Sequence, residues 1–313
     1  MRILKKISIN NYKISIITAT LNSEPTIKNT LESVLSQDYN NIEHIIIDGK
    51  SSDLTLEIIQ SYRPKYEAKN ITLKIFSQKD SGIYEAFNRG INASSGDLLG
   101  FLNSDDYFAS SNILSLINWA FNKPVAKSVE SICANLEYVD CVNVGGLAET
   151  IDSTNSKNLD SANLTSFQIS QDSTKSPKIL RQIKGQNLNF SDFKKGLHPA
   201  HPTFYVKKEI FEKFGGFNPS YKIAGDYELM LRFLAKNKIN NMYIDENFIK
   251  MQLGGISNQN LKNIYKANVE CLRAWRENDM QISPLFILLK PLRKLKEINV
   301  FAYIKYMIGG GDS

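Results

Sequence analysis

The chain is poor in cysteine. Its 313 residues include Cys133, Cys141 and Cys271 and no others. An odd number without CxxC spacing excludes a disulfide framework and a structural zinc site, and fits reduced thiols in the cytoplasm. Long apolar runs are also absent. None approaches the roughly 18 residues that mark a membrane-spanning helix. The first residues, MRILKKISINNYKISIIT, begin basic as a secretory signal does, yet Asn10, Asn11 and Lys13 break the apolar part and no small-residue cleavage site follows. The net charge of +6 is modest. No nucleic-acid-binding module is recognisable, so no nucleic-acid partner is expected.

What is present is enough apolar residue, 42%, for one large core or one core with a small appendage. The first 120 residues alternate short apolar runs with helical spacing. Ile14–Thr18 is a β-branched run, followed by Ile27, Leu31, Val34 and Leu35 at helical intervals. Ser23 or Glu24 stands near that helix start, with Pro25 in its first turn. Ile45–Ile47 reads as a second strand ending at Asp48, then a helix through Leu56, Ile58 and Ile59 with Pro64 past its end. Leu73–Phe76 and Leu98–Leu102 read as further strands, with a helix through Ile83, Ala86 and Phe87 between them. Strands alternating with crossover helices predict an α/β fold, a mainly parallel Rossmann-like sheet covered on both faces.

Open sheets of this kind bind ligands outside the carboxyl ends of their strands. The polar residues there are Thr18 to Asn22, Asp48, Asp80 and Asn103 to Asp106. Residues 152–176 differ: seven serines and five apolar residues predict a flexible surface insertion over about 150–180. From His198 the pattern turns helical, interrupted by Gly215-Gly216. Residues 259–313 read as a helical basic extension after a first domain over 1–258. In it Pro291 interrupts a run of Leu285–Leu289, Leu292, Leu295 and Ile298.

Phe101-Leu102-Asn103-Ser104-Asp105-Asp106 closes a buried strand. Oxygen ligands released at such an end suit Mg²⁺ or Mn²⁺, which share phosphate oxygens and offset charge on a departing diphosphate. A solvated turn or helix cap explains the same string. Some 120 residues later, Ile223-Ala224-Gly225-Asp226-Tyr227-Glu228 opens a helix. Asp226 there serves either as a base for an acceptor hydroxyl or as a helix cap, and spacing alone leaves both readings open.

Four segments together resemble the family 2 glycosyltransferases of the GT-A fold, especially the bacterial branch that builds surface polysaccharides and O-antigens. They are SIITATLNSEPTIKNTLESVLSQDYNNIEHIIIDGKSSD, DSGIYEAFNRGINASSGDLLGFLNSDD, HPTFYVKKEIFEKFGGFNPSYKIAGDYELMLRF and QLGGISN. They occur in the family's order between residue 14 and about 258. The resemblance implies an enzyme that transfers a sugar, with inversion, from a nucleotide-sugar donor to a glycan or lipid-linked acceptor, using a divalent metal. Uridine is the base it implies. By the same resemblance Ala19, Thr20 and Asn22 touch the nucleotide, Asp48 recognises the base, and Asp80, Gly82 and Asn88 border the nucleotide-sugar. Asn103-Ser104-Asp105 matches the metal-binding DxD motif, Asp106 is a neighbouring ligand, and Asp226 is the catalytic base. His198 and His201 fall on the acceptor side, where a structural role serves each as well.

Two departures from that pattern stand out. Asn103 replaces the first motif carboxylate, shifting metal binding onto Asp105 and Asp106. Lys50 and Leu54 stand where the family has Gly or a small residue and Gly, and Leu54 would strain a turn needing positive φ. A sugar-phosphate nucleotidyltransferase needs a glycine-rich basic loop after the first strand, and Thr18-Ala19-Thr20-Leu21-Asn22 has neither glycine nor lysine. A non-catalytic nucleotide-sugar or glycan binder would lack the base or the metal ligand, and both are present. The tail over 285–307 carries Lys290, Arg293, Lys294, Lys296 and Lys305 against Glu297. It fits peripheral contact with the anionic inner face of the cytoplasmic membrane, and equally a packed helix with a solvated basic face.

Overall fold

The computed structural model describes residues 10–125, 128–140, 178–188, 190–252 and 261–283. Most of the expected insertion, the QLGGISN segment beyond Gln252, and the 285–307 tail lie outside the described residues. Four strands form one half of the sheet: β1 (Ile14–Thr20), β2 (Ile42–Asp48), β3 (Thr72–Ser77) and β4 (Leu98–Phe101). They run parallel in the order β3-β2-β1-β4. The two innermost, β1 and β2, are buried along their whole length, as near-continuous β-branched runs in a doubly covered sheet should be. Side chains alternate between faces. Ile17, Ala19, Ile45 and Ile47 enter one core, and Ile14, Ile16, Ile42 and Ile46 enter the other.

Helices α1 (Ile27–Leu35), α2 (Thr55–Ser61), α3 (Arg63–Ala68), α4 (Ile83–Ala93) and α5 (Ile113–Phe121) supply the covering layers. Two local expectations change. The first helix begins only at Ile27, so Pro25 precedes it. Pro64 lies past the end of α2, as expected, and also in the first turn of α3, where a proline without an N–H is tolerated. Leu54 has φ −77° and is unstrained. The positive φ of that loop falls on Lys50, at 70°.

The second half of the sheet is mixed. It comprises β5 (Asp106–Phe108), β6 (Ser131–Val139), β7 (Ile179–Ile183), β8 (Tyr205–Lys207) and β9 (Asn241–Gln252). The order continues β4-β8-β6-β9-β5, with β7 on β6. The stretch after His198, read as helical, thus contains a 3₁₀ turn (His201–Thr203) and β8 before helix α7 (Lys208–Phe214). Further helices are α6 (Phe190–Lys194), α8 (Gly225–Met230) and α9 (Leu261–Glu277). A π-helical turn, Leu231–Lys236, extends α8. Helix α9 buries Cys271, Ala274 and Trp275 in the core shared with α4, α7 and α8.

At the amino edge of the parallel strands lies the buried carboxylate of Glu43 on β2. It accepts hydrogen bonds from Ser15 Oγ at 2.6 Å, Ser95 Oγ at 2.8 Å and Gly96 N at 3.1 Å. Lys74 Nζ lies at 2.9 Å and Lys13 Nζ at 3.5 Å. Burial alone would raise its pKa, but these donors outweigh it and hold the group at about 2. A carboxylate depressed in the fold stabilises above the unfolded pKa near 4.5 and loses that contribution as pH falls toward 2. Glu43→Gln should therefore lower stability at neutral pH by about 1–3 kcal/mol. The gap from wild type should close as urea titrations are repeated toward pH 2; a gap independent of pH contradicts this.

Candidate active site

The carboxyl ends of β1 to β4 open onto one rim, and most of the residues expected there are on it. Thr20 and Asp48 are register partners at the ends of β1 and β2. Thr20 Oγ1 is buried without a hydrogen-bond partner. Asp48 is fully buried; it accepts from Ser51 N at 3.1 Å and Ser77 Oγ at 2.6 Å, which stiffens the loop after β2. Asn22 adopts φ 50°. Its Oδ1 accepts from Ser52 N at 2.9 Å, and its own N–H donates to Ser51 Oγ at 2.9 Å. The short polar side chain makes that left-handed turn tolerable. Ala19 turns its side chain into the core, which leaves only its backbone for the rim.

Asp80 joins the rim from the loop after β3. Its Oδ2 would lie 3.2 Å from a Cβ on Gly49, and its Oδ1 accepts from Gly82 N at 3.1 Å. Gly82 caps α4 at φ 141°, a conformation closed to L side chains. Asn88 faces elsewhere. Its Nδ2 donates to Phe217 O and its Oδ1 accepts from Phe217 N, both at 2.8 Å, so its amide ties α4 to the loop after α7.

After β4 the chain makes a tight turn over residues 103–106, closed by Asp106 N donating to Asn103 O at 3.1 Å. Ser104 Oγ meets Ser23 Oγ at 2.7 Å, and Thr30 Oγ1 donates to Asp106 O at 2.7 Å. The two bonds pin the turn to the loop before α1 and to α1 itself. Asn103 Nδ2 donates to Asp106 Oδ2 at 2.9 Å, while Asp106 Oδ1, fully buried, has no partner. Burial raises the pKa of Asp105. Burial, then the neighbouring Asp105 charge, raises that of Asp106 well above the carboxylate range. Among the described residues no ion pair reaches either group. An orphaned buried oxygen beside a second uncompensated carboxyl is a donor set that a hard cation completes. No cluster of three or more acidic, His or Cys ligands occurs among the described residues. Such sparse protein ligation is how Mg²⁺-type ions bind when phosphate and water fill the shell.

Asp226 begins α8, partly exposed, with Oδ1 accepting from Tyr227 N at 2.7 Å. Two aromatic side chains place it. Tyr84 on α4 donates its hydroxyl to Ile223 O at 2.7 Å, and its ring fills the space where a Cβ on Gly225 would stand, 2.7 Å away. Burial, then the Asp226 charge, pushes the Tyr84 phenol up. His201 stacks on Phe101 at a centroid separation of 5.1 Å. Burial lowers its pKa while Asp226 pulls it upward, so the ring is neutral near pH 7; its Nε2 lacks a partner. The segment that opens α8 with Asp226 is thus held against Tyr84 near the amino end of α4, and the Asp226 charge is felt by His201, which stacks on the last residue of β4. His198 packs edge-on against Tyr227 at 5.3 Å, with Nδ1 on Pro199 O at 2.9 Å. Tyr84 and the Phe87–Phe101–Phe217 cluster around His201 escaped the sequence reading. They look like ordinary core positions, and only the fold shows what they support.

Residues 15–136 match the model described as glycosyl transferase family 2. An uncharacterized glycosyltransferase of Mycobacterium tuberculosis is 36% identical over 103 residues, which cover 33% of this chain and 37% of that protein's length. Staphylococcus aureus TarS 1–349, solved in complex with UDP-GlcNAc, superposes with TM-score 0.54 at 19% identity, covering 85% of this chain and 69% of that one. The mannosyltransferase PcManGT of Pyrobaculum calidifontis, in complex with GDP-Man and Mn²⁺, gives TM-score 0.55 at 13% identity, covering 98% and 79%. At those identities the likeness to solved structures is one of fold, and it is the GT-A fold. Through residues 15–136, the chain is similar to glycosyl transferase family 2.

Proposed function

We propose that the chain is an inverting glycosyltransferase that moves a sugar from a nucleotide-sugar donor to a hydroxyl of a glycan or lipid-linked acceptor. The observation that carries this reading is the position of His201, whose ring stacks on Phe101 at the end of β4 and feels the Asp226 charge; β4 leads directly into the turn that bears Asp105. The rim of Thr20, Asn22, Asp48, Asp80 and Gly82 would hold the nucleotide side of the donor. Asp226 would take the proton of the acceptor hydroxyl as its oxygen bonds to the anomeric carbon. The bond from that carbon to the diphosphate breaks, and the nucleoside diphosphate leaves with the electron pair. Asp105, with Asp106 behind it, would hold a divalent cation, Mn²⁺ or Mg²⁺, which when bound offsets charge on the leaving diphosphate. Neutral His201 would keep the Asp226 side of the cleft free of a competing cation. The complexes of the fold relatives, one with UDP-GlcNAc and one with GDP-Man and Mn²⁺, support a nucleotide-sugar donor and a metal; uridine is the base proposed. No helix among the described residues is long and apolar enough to cross a membrane. A lipid-linked acceptor would then be met at the inner membrane surface through residues 285–307.

Asp226→Asn should lower transfer about 10²–10⁴-fold, the worth of general-base assistance, while calorimetric donor affinity stays unchanged. Turnover near wild type contradicts the assigned role. Because the Asp105 and Asp106 carboxyls hold their protons to higher pH than usual, cation binding must displace protons. Mn²⁺ affinity measured with a nucleoside diphosphate should fall as pH is lowered, and Asp105→Ala should abolish it. A pH-independent affinity, or transfer indifferent to chelator, contradicts the metal assignment.

A further inference from the structure

Helix α9 lies beyond all the segments that carry the family resemblance, yet one of its side chains grips the backbone leading to Asp226. Glu270 Oε1 accepts from Lys222 N at 2.9 Å, and its Oε2 accepts from Ile223 N at 2.9 Å and Ala224 N at 2.7 Å. Three consecutive N–H groups, all ahead of the helix, thus converge on one carboxylate. Hydrogen bonds to an ionised acceptor are the strong ones, and three from adjacent amides fix the path of the backbone as well as its distance. On its other side the same segment is held by α4 and the loop before it: Ile223 O accepts from Tyr84, and Lys222 Nζ donates to Ser81 O at 3.2 Å.

The anchor itself is rigid. Next to Glu270, Cys271 is fully buried, as are Ala274 and Trp275 one turn on. Trp275 Nε1 donates to Tyr227 OH at 2.7 Å, and Asn278 Nδ2 donates to Glu228 Oε1 at 3.0 Å. Those bonds secure α8 itself. Glu270 instead secures the amides of the three-residue approach to it, Lys222–Ala224, where a backbone shift would move the Asp226 carboxylate relative to the rim. Misplacing a reacting group by about 1 Å costs on the order of 10²-fold in rate.

We propose that Glu270 is a positioning residue for the Asp226 base, acting through the amides of residues 222–224; this rests on the glycosyltransferase reading above. Glutamine in its place keeps the shape but turns an amino group toward N–H donors that need an acceptor. The test measures nucleoside diphosphate release, with Mn²⁺, from whichever nucleotide-sugar gives the largest thermal shift with the wild-type protein. Glu270→Gln should lower kcat at least about tenfold with donor KM unchanged. Tyr221→Phe, which removes the 2.7 Å bond to Glu277 on the same helix, should leave kcat near wild type. If kcat survives in Glu270→Gln, or falls equally in Tyr221→Phe, the positioning role is wrong. Absence of release by the wild type overturns the glycosyltransferase reading instead, and this inference with it. Amide exchange in the wild type checks the clasp without any variant: Lys222, Ile223 and Ala224 should exchange slowly although they lie outside a helix, and rapid exchange there refutes it.

Discussion

Two carboxyl groups side by side at the end of a buried strand, with no cation paired to them among the described residues, are the constraint on which the site depends. Asp106 is out of water with one oxygen unsatisfied, and burial, then the Asp105 charge beside it, makes it harder to ionise. The arrangement makes physical sense where a hard cation and an anionic ligand arrive together, because each then neutralises what the other cannot.

Glu43 shows that the fold can bury a carboxylate at low cost when nothing is asked of it. It sits on the same sheet, at the opposite strand ends, surrounded by two lysines, two serines and backbone amides, and its pKa falls to about 2. Asp106 receives one amide hydrogen bond and its pKa rises. The two edges of the sheet therefore differ in purpose. At the amino edge both Glu43 oxygens are hydrogen-bonded, as a stability element requires. The carboxyl edge leaves Thr20 Oγ1, Asp106 Oδ1 and His201 Nε2 unmatched, which is where a ligand has something to complete.

Much of this was legible in the residues. The β-branched runs of β1 and β2, the helical spacing between them and the polar residues at their ends follow from side-chain periodicity, so the rim from Thr20 to Asp105 could be named before any coordinates. The second half of the sheet was not legible in that way. β6 and β9 are long strands in a mixed sheet, and the sequence preceding β8 carries no alternation that separates strand from helix. Strain was misplaced for a physical reason: a leucine in a turn draws attention, whereas a flexible lysine such as Lys50 at φ 70° does not. Asn88 was assigned to the rim by its neighbours in sequence, but on α4 it points at the Phe217 backbone. Glu270 was invisible, since a glutamate on an amphipathic helix gives no sign that three amides from a distant loop will meet it.

The central claim is that the acidic turn after β4 and the carboxylate that opens α8 serve one bound donor. The most direct measurement is the anomalous diffraction of Mn²⁺ in crystals grown with the nucleotide-sugar donor. The account predicts a manganese peak on the Asp105 carboxylate, touching the diphosphate, with Asp226 across the cleft facing the anomeric carbon. A metal bound away from Asp105, or a sugar whose anomeric carbon faces away from Asp226, would contradict it.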